Sequence, residues 1–415
     1  MKNLKSYLSI VLGFIFSFNA IAQNPVDVEN NLSDLNLKKE YKGGKLYEAN
    51  GFLIPVIEGS NEEMGEQYGA LMKDEMQKIY DALVKKEIEE GKLDQETIQF
   101  WTDRAYGSGS LRTKQFYEGV AKGADWSLTD VIFLDQVMEF GIYYGKLHSF
   151  AGCTSIASWG EQSKDGEMYI GRNMDWSESF LNFPTVLTVR KPNDGSYKMA
   201  TTGWAGMYAA FTAMNEKGVY LDVHDGTSMG GSLVYKERPS ILNTMVDIVS
   251  ESPSLEAVKA RFNGINNSVS IIFTIADSNS AASVEASSLA GNRVRTPKND
   301  ALTVVNTFLA DDWGLGTRET VSNSLRRYSN MQDRLAETKG QVDAQMTKDL
   351  MDIRLFNEDD SFKENGGCTK PELQDADITV YQTVFDIHNQ KVYLKVPVAE
   401  YFADWTEINL NELWK

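Results

Sequence analysis

The pattern of apolar and polar positions along this chain changes period once, at residue 153. Upstream, apolar residues recur mostly at helical spacing. A short apolar strand, Gly51 to Glu58, leads into Ser60-Asn61-Glu62-Glu63, a helix cap with acids in the first turn. Met64, Tyr68, Leu71, Met72, Met76, Ile79, Tyr80 and Leu83 then fall on one helical face. Further helices are predicted over about 95–105, 111–124 and 127–145, and the polar stretch 24–45 reads as a loose arm. From Cys153 the alternation becomes strand-like. Cys153 to Trp159 and Glu167 to Asp175 read as two strands joined through Lys164-Asp165-Gly166. Thr185 to Arg190 and Tyr197 to Thr202 continue the pattern, and a hairpin turns across Glu216-Lys217-Gly218. Helices follow at about 239–250 and 254–263, then strands at 268–276, 282–287 and near 301–308. Two amphipathic helices at about 318–337 and 342–354 precede a last hairpin across Ile387-His388-Asn389-Gln390. Groups of strands alternating with groups of helices, mostly in antiparallel order, predict a layered α+β domain.

The first residues change the picture of where this domain works. Lys2 and Lys5, the apolar run Leu8 to Phe18 and the small-x-small site Ala20-Ile21-Ala22 have the layout of a secretory signal peptide. The run is too short for a stable membrane span, and no later segment approaches twenty uncharged apolar residues. The expectation is a periplasmic or secreted protein starting near Gln23. The formal charge of −18 includes the two leader lysines, so the mature chain stands at −20. Such an acidic surface repels nucleic acid and anionic lipid, so neither kind of partner is expected, and it says little about a small-molecule substrate; homo-oligomerisation stays open.

Candidate chemistry narrows quickly. The three histidines, His148, His224 and His388, sit in no metal-binding spacing, so neither a metal nor a cofactor is expected. No GxSxG elbow supports a serine triad. The two cysteines, Cys153 and Cys368, would ordinarily be a disulfide in an exported chain. Cys153, however, opens a strand as Gly152-Cys153-Thr154-Ser155, and Gly171-Arg172-Asn173-Met174-Asp175-Trp176 closes the next one. A hairpin of that length brings Arg172 and Asp175 beside Cys153. The arginine can stabilise a thiolate. The aspartate needs a cation, which a free α-amino group on Cys153 would supply.

These blocks resemble the N-terminal-nucleophile cysteine hydrolases that include bile salt hydrolases, penicillin V acylase and the acyl-coenzyme A:isopenicillin N acyltransferases. Met214-Asn215-Glu216-Lys217-Gly218, Val305-Asn306-Thr307-Phe308 and Ser324-Leu325-Arg326-Arg327-Tyr328 also resemble the family's segments. So do the closing Val392-Tyr393-Leu394-Lys395-Val396-Pro397 and the upstream Glu62-Glu63-Met64-Gly65-Glu66-Gln67-Tyr68-Gly69. The resemblance implies a four-layer αββα sandwich, with the segment 23–152 wrapped on as one strand and several helices before a catalytic domain at 153–415. It implies self-cleavage after Gly152 and a Cys153 that is nucleophile through its thiol and base through its own α-amine. Arg172 and Asp175 would position and charge-balance it, and Asn306 would donate its side-chain amide to the oxyanion. Arg327, or Arg326 since the register is ambiguous, would support the site electrostatically. The family's further polar residue falls near His224 or Asp225, where this sequence departs from the bile salt hydrolase pattern.

The α-amine explains how such an amidase dispenses with a histidine base. It titrates at about 7.7–8.0, so a useful fraction is neutral at pH 7 and can take the thiol proton. The expected activity is hydrolysis of linear amides, N-acyl amines or N-acyl amino acids, through an acyl-Cys153 thioester. Two alternatives remain open: an acyltransferase using the same site, and a non-catalytic exported binding protein with a Cys153–Cys368 disulfide.

Overall fold

The computed structural model describes residues 26–32, 35–143, 152–227, 235, 237–297, 299–313, 318–319, 324–352, 378–398 and 401–415. The leader, His148 and Cys368 lie outside the described residues.

The α+β expectation holds, with one revision at the N-terminal end. Where a loose arm was expected there are three strands: β1 (Val26–Leu32), β2 (Leu35–Tyr41) and β3 (Gly44–Ala49). With β4 (Phe52–Gly59) the N-terminal segment contributes four strands rather than one. The polar composition misled because only every second residue of an edge strand needs to be apolar. Leu35 and Leu37 in β2 and Leu46 in β3 are buried, while their polar neighbours Asn36, Lys38 and Lys45 are exposed. Parallel pairing of β4 with β7 (Thr185–Pro192) then joins this meander to the strands that follow residue 153.

Two sheets face each other. The larger runs β1-β2-β3-β4-β7-β8-β9-β10-β11-β12-β13, with β8 at Met199–Gly203, β9 at Thr212–Asn215 and β10 at Tyr220–Asp225. Its far edge is β11 (Ile271–Ala276), β12 (Ala281–Ser287) and β13 (Gly291–Arg295). The smaller sheet runs β14-β5-β6-β17-β18 and ends on Thr406–Asn409. Here β14 is Ala301–Val305, β5 Cys153–Ser158, β6 Tyr169–Trp176, β17 Ile378–Asp386 and β18 Lys391–Lys395. Helices Asn61–Tyr80, Ile241–Glu251 and Leu255–Phe262 cover the larger sheet, and Ser324–Glu337 and Ala344–Met351 cover the smaller, giving four αββα layers. The expected helix over 318–337 begins only at Ser324. Arg318–Glu319 instead pair as a short strand with Thr307–Phe308 (β15), so the chain just after Asn306 is tied down on its far side.

The N-terminal helices are built from glycines at a close crossing. Helix Asn61–Tyr80 starts on a complete capping box between Ser60 and Glu63 and packs against Leu111–Ala124. A Cβ on Gly65 would lie 2.2 Å from the Phe116 carbonyl oxygen, and one on Gly119 would lie 2.1 Å from that of Glu62. The backbones therefore touch at a distance no larger residue permits. Glu62 to Gly69, singled out by resemblance, accordingly forms a helix-packing seam.

Candidate active site

Strand register assembles the site. β5 and β6 pair antiparallel with Cys153 opposite Met174 and Ser155 opposite Arg172. On its other side β5 pairs with β14, Val305 opposite Thr154, which leaves Asn306 beside Cys153. Side chains alternate across the strand. Ser155 points into the space between the sheets and donates to Asp222 on β10, while Thr154 meets the helix layer at Arg327.

The Gly152–Cys153 peptide is held at both of its polar atoms. The Asp175 N–H donates to the Gly152 carbonyl oxygen at 2.8 Å. The Cys153 N–H donates to Asn306 Oδ1 at 2.7 Å, and Arg327 Nη2 donates to the same oxygen at 3.0 Å. Two donors converging on one atom identify it as the amide oxygen, so the Asn306 nitrogen faces the other way and donates to the Asp225 carbonyl at 3.1 Å. Asn306 thus grips the backbone nitrogen of Cys153. Its amide carries a second N–H, so serving an oxyanion would not require it to leave the Asp225 carbonyl. Arg327 also donates to the Cys153 carbonyl and to Thr154 Oγ1. The Asp175 carboxylate accepts from Thr379 Oγ1 at 2.7 Å and lies against Gly152, where a Cβ would come within 2.9 Å of Oδ2.

The arginine ambiguity resolves on helical period. Ser324, Arg327, Asn330, Met331 and Leu335 form the buried stripe of their helix, and Arg326 is exposed. Arg327→Ala is expected to stop processing and turnover while Arg326→Ala leaves both near normal. Fragment analysis and a rate assay of the two variants check this.

Cys153 carries a free, buried thiol. Arg172 Nη2 donates to Cys153 Sγ at 3.6 Å and to Met174 Sδ at 2.9 Å. Burial nevertheless pushes the thiol up to about 11, outweighing the opposing pull of Arg172. The arginine alone does not make a thiolate in the intact chain; a new ammonium on the same residue would add the missing positive charge.

One residue the sequence reading passed over organises the other side of the site. Asp222 is fully buried and takes Arg172 Nη1 at 3.3 Å. Ser155, Tyr220, His224 and the Thr274 N–H also converge on its two oxygens. Burial disfavours its charge, but Arg172 and the hydrogen bonds prevail and hold it below the ordinary carboxylate range. Burial pushes the His224 ring below its usual value, so it is neutral at pH 7. The only sequence signal was period two: Tyr220, Asp222 and His224 alternate with the apolar Leu221 and Val223, a polar inward face in the middle of a sandwich. Replacing Asp222 by Ala would leave the Arg172 guanidinium buried without its anion. We expect a loss of about 3–5 kcal/mol, read as a shifted urea midpoint in a Cys153→Ala background that keeps the chain in one piece.

Beside these groups lies a cavity of about 50 Å³ lined by Cys153, Met174, Trp176, Phe211, His224 and Leu242 among others. Met138 and Glu139 of the N-terminal segment complete its wall. No cluster of metal-ligating side chains occurs among the described residues.

The sequence profile of the family described as acyl-coenzyme A:6-aminopenicillanic acid acyl-transferase matches residues 161–398, more than half of the chain. The chain belongs to that family. The span shared with the acyl-transferase family contains Arg172, Asp175, Asn306 and Arg327 and begins after Cys153. Several solved structures are similar. A mutant conjugated bile acid hydrolase from Clostridium perfringens shows 14% identity and a TM-score of 0.41, over 63% of this chain and 94% of that one. A Caenorhabditis elegans ortholog of N-acylethanolamine-hydrolyzing acid amidase shows 17% identity and a TM-score of 0.41, over 57% and 93% of the two chains. Penicillin V acylase from Agrobacterium tumefaciens shows 13% and 0.36, over 63% and 87%. No curated protein matches the chain in sequence.

Proposed function

We propose that this protein is an exported amidase that cuts its own chain after Gly152 and then hydrolyses small N-acyl amines or N-acyl amino acids through an acyl-Cys153 thioester. The observation that carries the reading is the Gly152–Cys153 junction itself, with its carbonyl on the Asp175 N–H and its nitrogen on Asn306. A backbone donor on the scissile carbonyl sits where negative charge develops when the neighbouring thiol attacks it. Attack of Cys153 Sγ on the Gly152 carbonyl carbon forms a C–S bond. Collapse then breaks the C–N bond, leaving a thioester and a free α-amine; water releases Gly152 as a carboxylate.

Catalysis repeats the same steps on a substrate. The α-amine takes the thiol proton, sulfur adds to the acyl carbonyl, and the ammonium returns its proton to the departing amine. Water, activated by the α-amine, then resolves the thioester. An acyl-transfer variant of the last step, in which an amine replaces water, is favoured by the family's own description as an acyl-transferase. The leader Lys2 to Ala22 supports export.

The test is to mix purified protein with N-acyl amines, quench rapidly and weigh the fragment that begins at Cys153. An acyl adduct on Cys153 is expected, with free acid as product; added amine acceptors report transfer. Peptide mapping without reductant addresses the binding-protein reading. A peptide linking residues 153 and 368 in active protein would end the nucleophile assignment.

A further inference from the structure

A buried carboxylate on the larger sheet gathers the chain on both sides of Asn306. Glu285 lies on β12, fully buried beside the edge strand β13. Its Oε1 accepts from Arg295 Nε at 3.1 Å and from the Leu309 N–H at 2.9 Å. Its Oε2 accepts from the Ala310 N–H at 2.9 Å and from Trp313 Nε1 at 2.5 Å. All four partners donate, so the group that meets them must accept through both oxygens, as a carboxylate does and an amide cannot. Three of the donors belong to residues 309–313, the stretch that follows Asn306 and β15. Arg295 closes the clip from the other side, donating through Nη2 to the Thr303 carbonyl of β14 at 2.9 Å. Since β14 runs directly into Asn306, that residue is flanked by segments tied to Glu285 before and after it.

A second path reaches the partner of the Asn306 amide. The Trp313 indole meets the Phe308 ring edge-on, with centroids 5.2 Å apart. A Cβ on Gly226 would fall 2.9 Å from Phe308 Cε2, so that ring lies directly against the backbone just after Asp225. The Asp225 carbonyl accepts one N–H of the Asn306 amide at 3.1 Å. This bond sets the plane of the amide, and with it the direction of the second N–H.

We infer that Glu285 is a positioning residue for the oxyanion donor of the Cys153 site. It holds the segments flanking Asn306 and, through Trp313 and Phe308, the backbone whose carbonyl orients the Asn306 amide. The carboxylate itself touches no reacting atom. Its contribution is preorganisation: a donor already aimed where negative charge develops needs no rearrangement at the moment of reaction. The inference rests on the amidase reading above, with Asn306 as oxyanion donor, and adds to it the group that keeps that donor in place.

The experiment uses the mature, self-processed protein and two reactions of the same thiol. Turnover of an N-acyl amine passes through an oxyanion. Alkylation by iodoacetamide forms its C–S bond by direct displacement of iodide and passes through none; it is followed on the peptide that begins at Cys153. Glu285→Gln keeps the side-chain size but turns one acceptor into a donor that faces other donors. It is expected to lower kcat by about tenfold to a hundredfold, the scale of a misplaced catalytic group, while KM stays within about twofold. The alkylation rate is expected to stay near that of wild type. Trp313→Phe keeps the ring against Phe308 and removes one of the four donors; the same split is expected, with kcat down about threefold to tenfold. A merely structural role would lower both reactions together, through the fraction of folded molecules, and leave their ratio fixed. If Glu285→Gln stays uncut at Gly152, Trp313→Phe carries the test by the same criteria. Wild-type kcat in the folded variant, or turnover and alkylation falling in equal proportion, overturns the inference and leaves the amidase standing. Processed wild type that alkylates at Cys153 yet turns over no N-acyl amine removes the amidase reading, and this inference with it.

Discussion

Two fragments, one beginning at about Gln23 and the other at Cys153, are expected when the purified mature protein is denatured, and one particle when it is not. The cut follows from the held Gly152–Cys153 peptide. Persistence of the particle follows from what the N-terminal segment contributes. β4 pairs along its length with β7, inside a continuous sheet. Ser240 donates to buried Glu139, and Tyr117 donates to Asn243. These are ties between the segments on either side of Gly152, and the hydrophobic core runs unbroken across them. Separating the fragments would expose that core, at roughly 25 cal/mol for each Å² of apolar surface. Cys153→Ala is expected to stay one chain of unchanged hydrodynamic size. Amino-terminal sequencing and size-exclusion chromatography decide the matter: active wild-type protein with no terminus at Cys153 would falsify the mechanism.

Asp175→Asn is expected to lower kcat by roughly a hundredfold to a thousandfold, the usual cost of losing one electrostatic contact made in the transition state. Asp175 supplies two things to the junction. Its N–H holds the Gly152 carbonyl, and its carboxylate lies against Gly152, within reach of the ammonium that a cut would create. The substitution keeps the first and removes the second. Folding is expected to survive, because the Thr379 hydroxyl can donate to an amide oxygen as it does to the carboxylate. Loss of the anion also lowers the affinity of the α-amine for its proton, so the pH profile of residual activity should shift to lower pH. Turnover near the wild-type level in folded Asp175→Asn, with no movement of the profile, would leave the Asp175 carboxylate a structural acceptor for the Thr379 hydroxyl and no part of the chemistry.

What the linear sequence determined about this protein is whatever depends on near neighbours. The period change at residue 153, the capping box at Ser60 and Glu63, and the β5–β6 hairpin that brings Arg172 to Cys153 are local, and all were legible. Self-complementary turns and alternating apolar positions encode them within a few residues. The glycines from Gly65 to Gly69 were visible as a family segment, but only the helix crossing shows that they admit carbonyl groups at van der Waals range.

The tertiary structure alone decided the rest, because it concerns partners far apart in the chain. Strands β1 to β3 looked like a polar arm, since an edge strand buries one side chain in two and its order comes from pairing with neighbours. Which of Arg326 and Arg327 faces the site was settled by the side of the helix that meets β5 and β14. Asp222 is an unremarked acid in the sequence. It becomes the anchor of Arg172 because β10 lies across from β6 in the facing sheet, and in that dry interior a guanidinium must find its carboxylate.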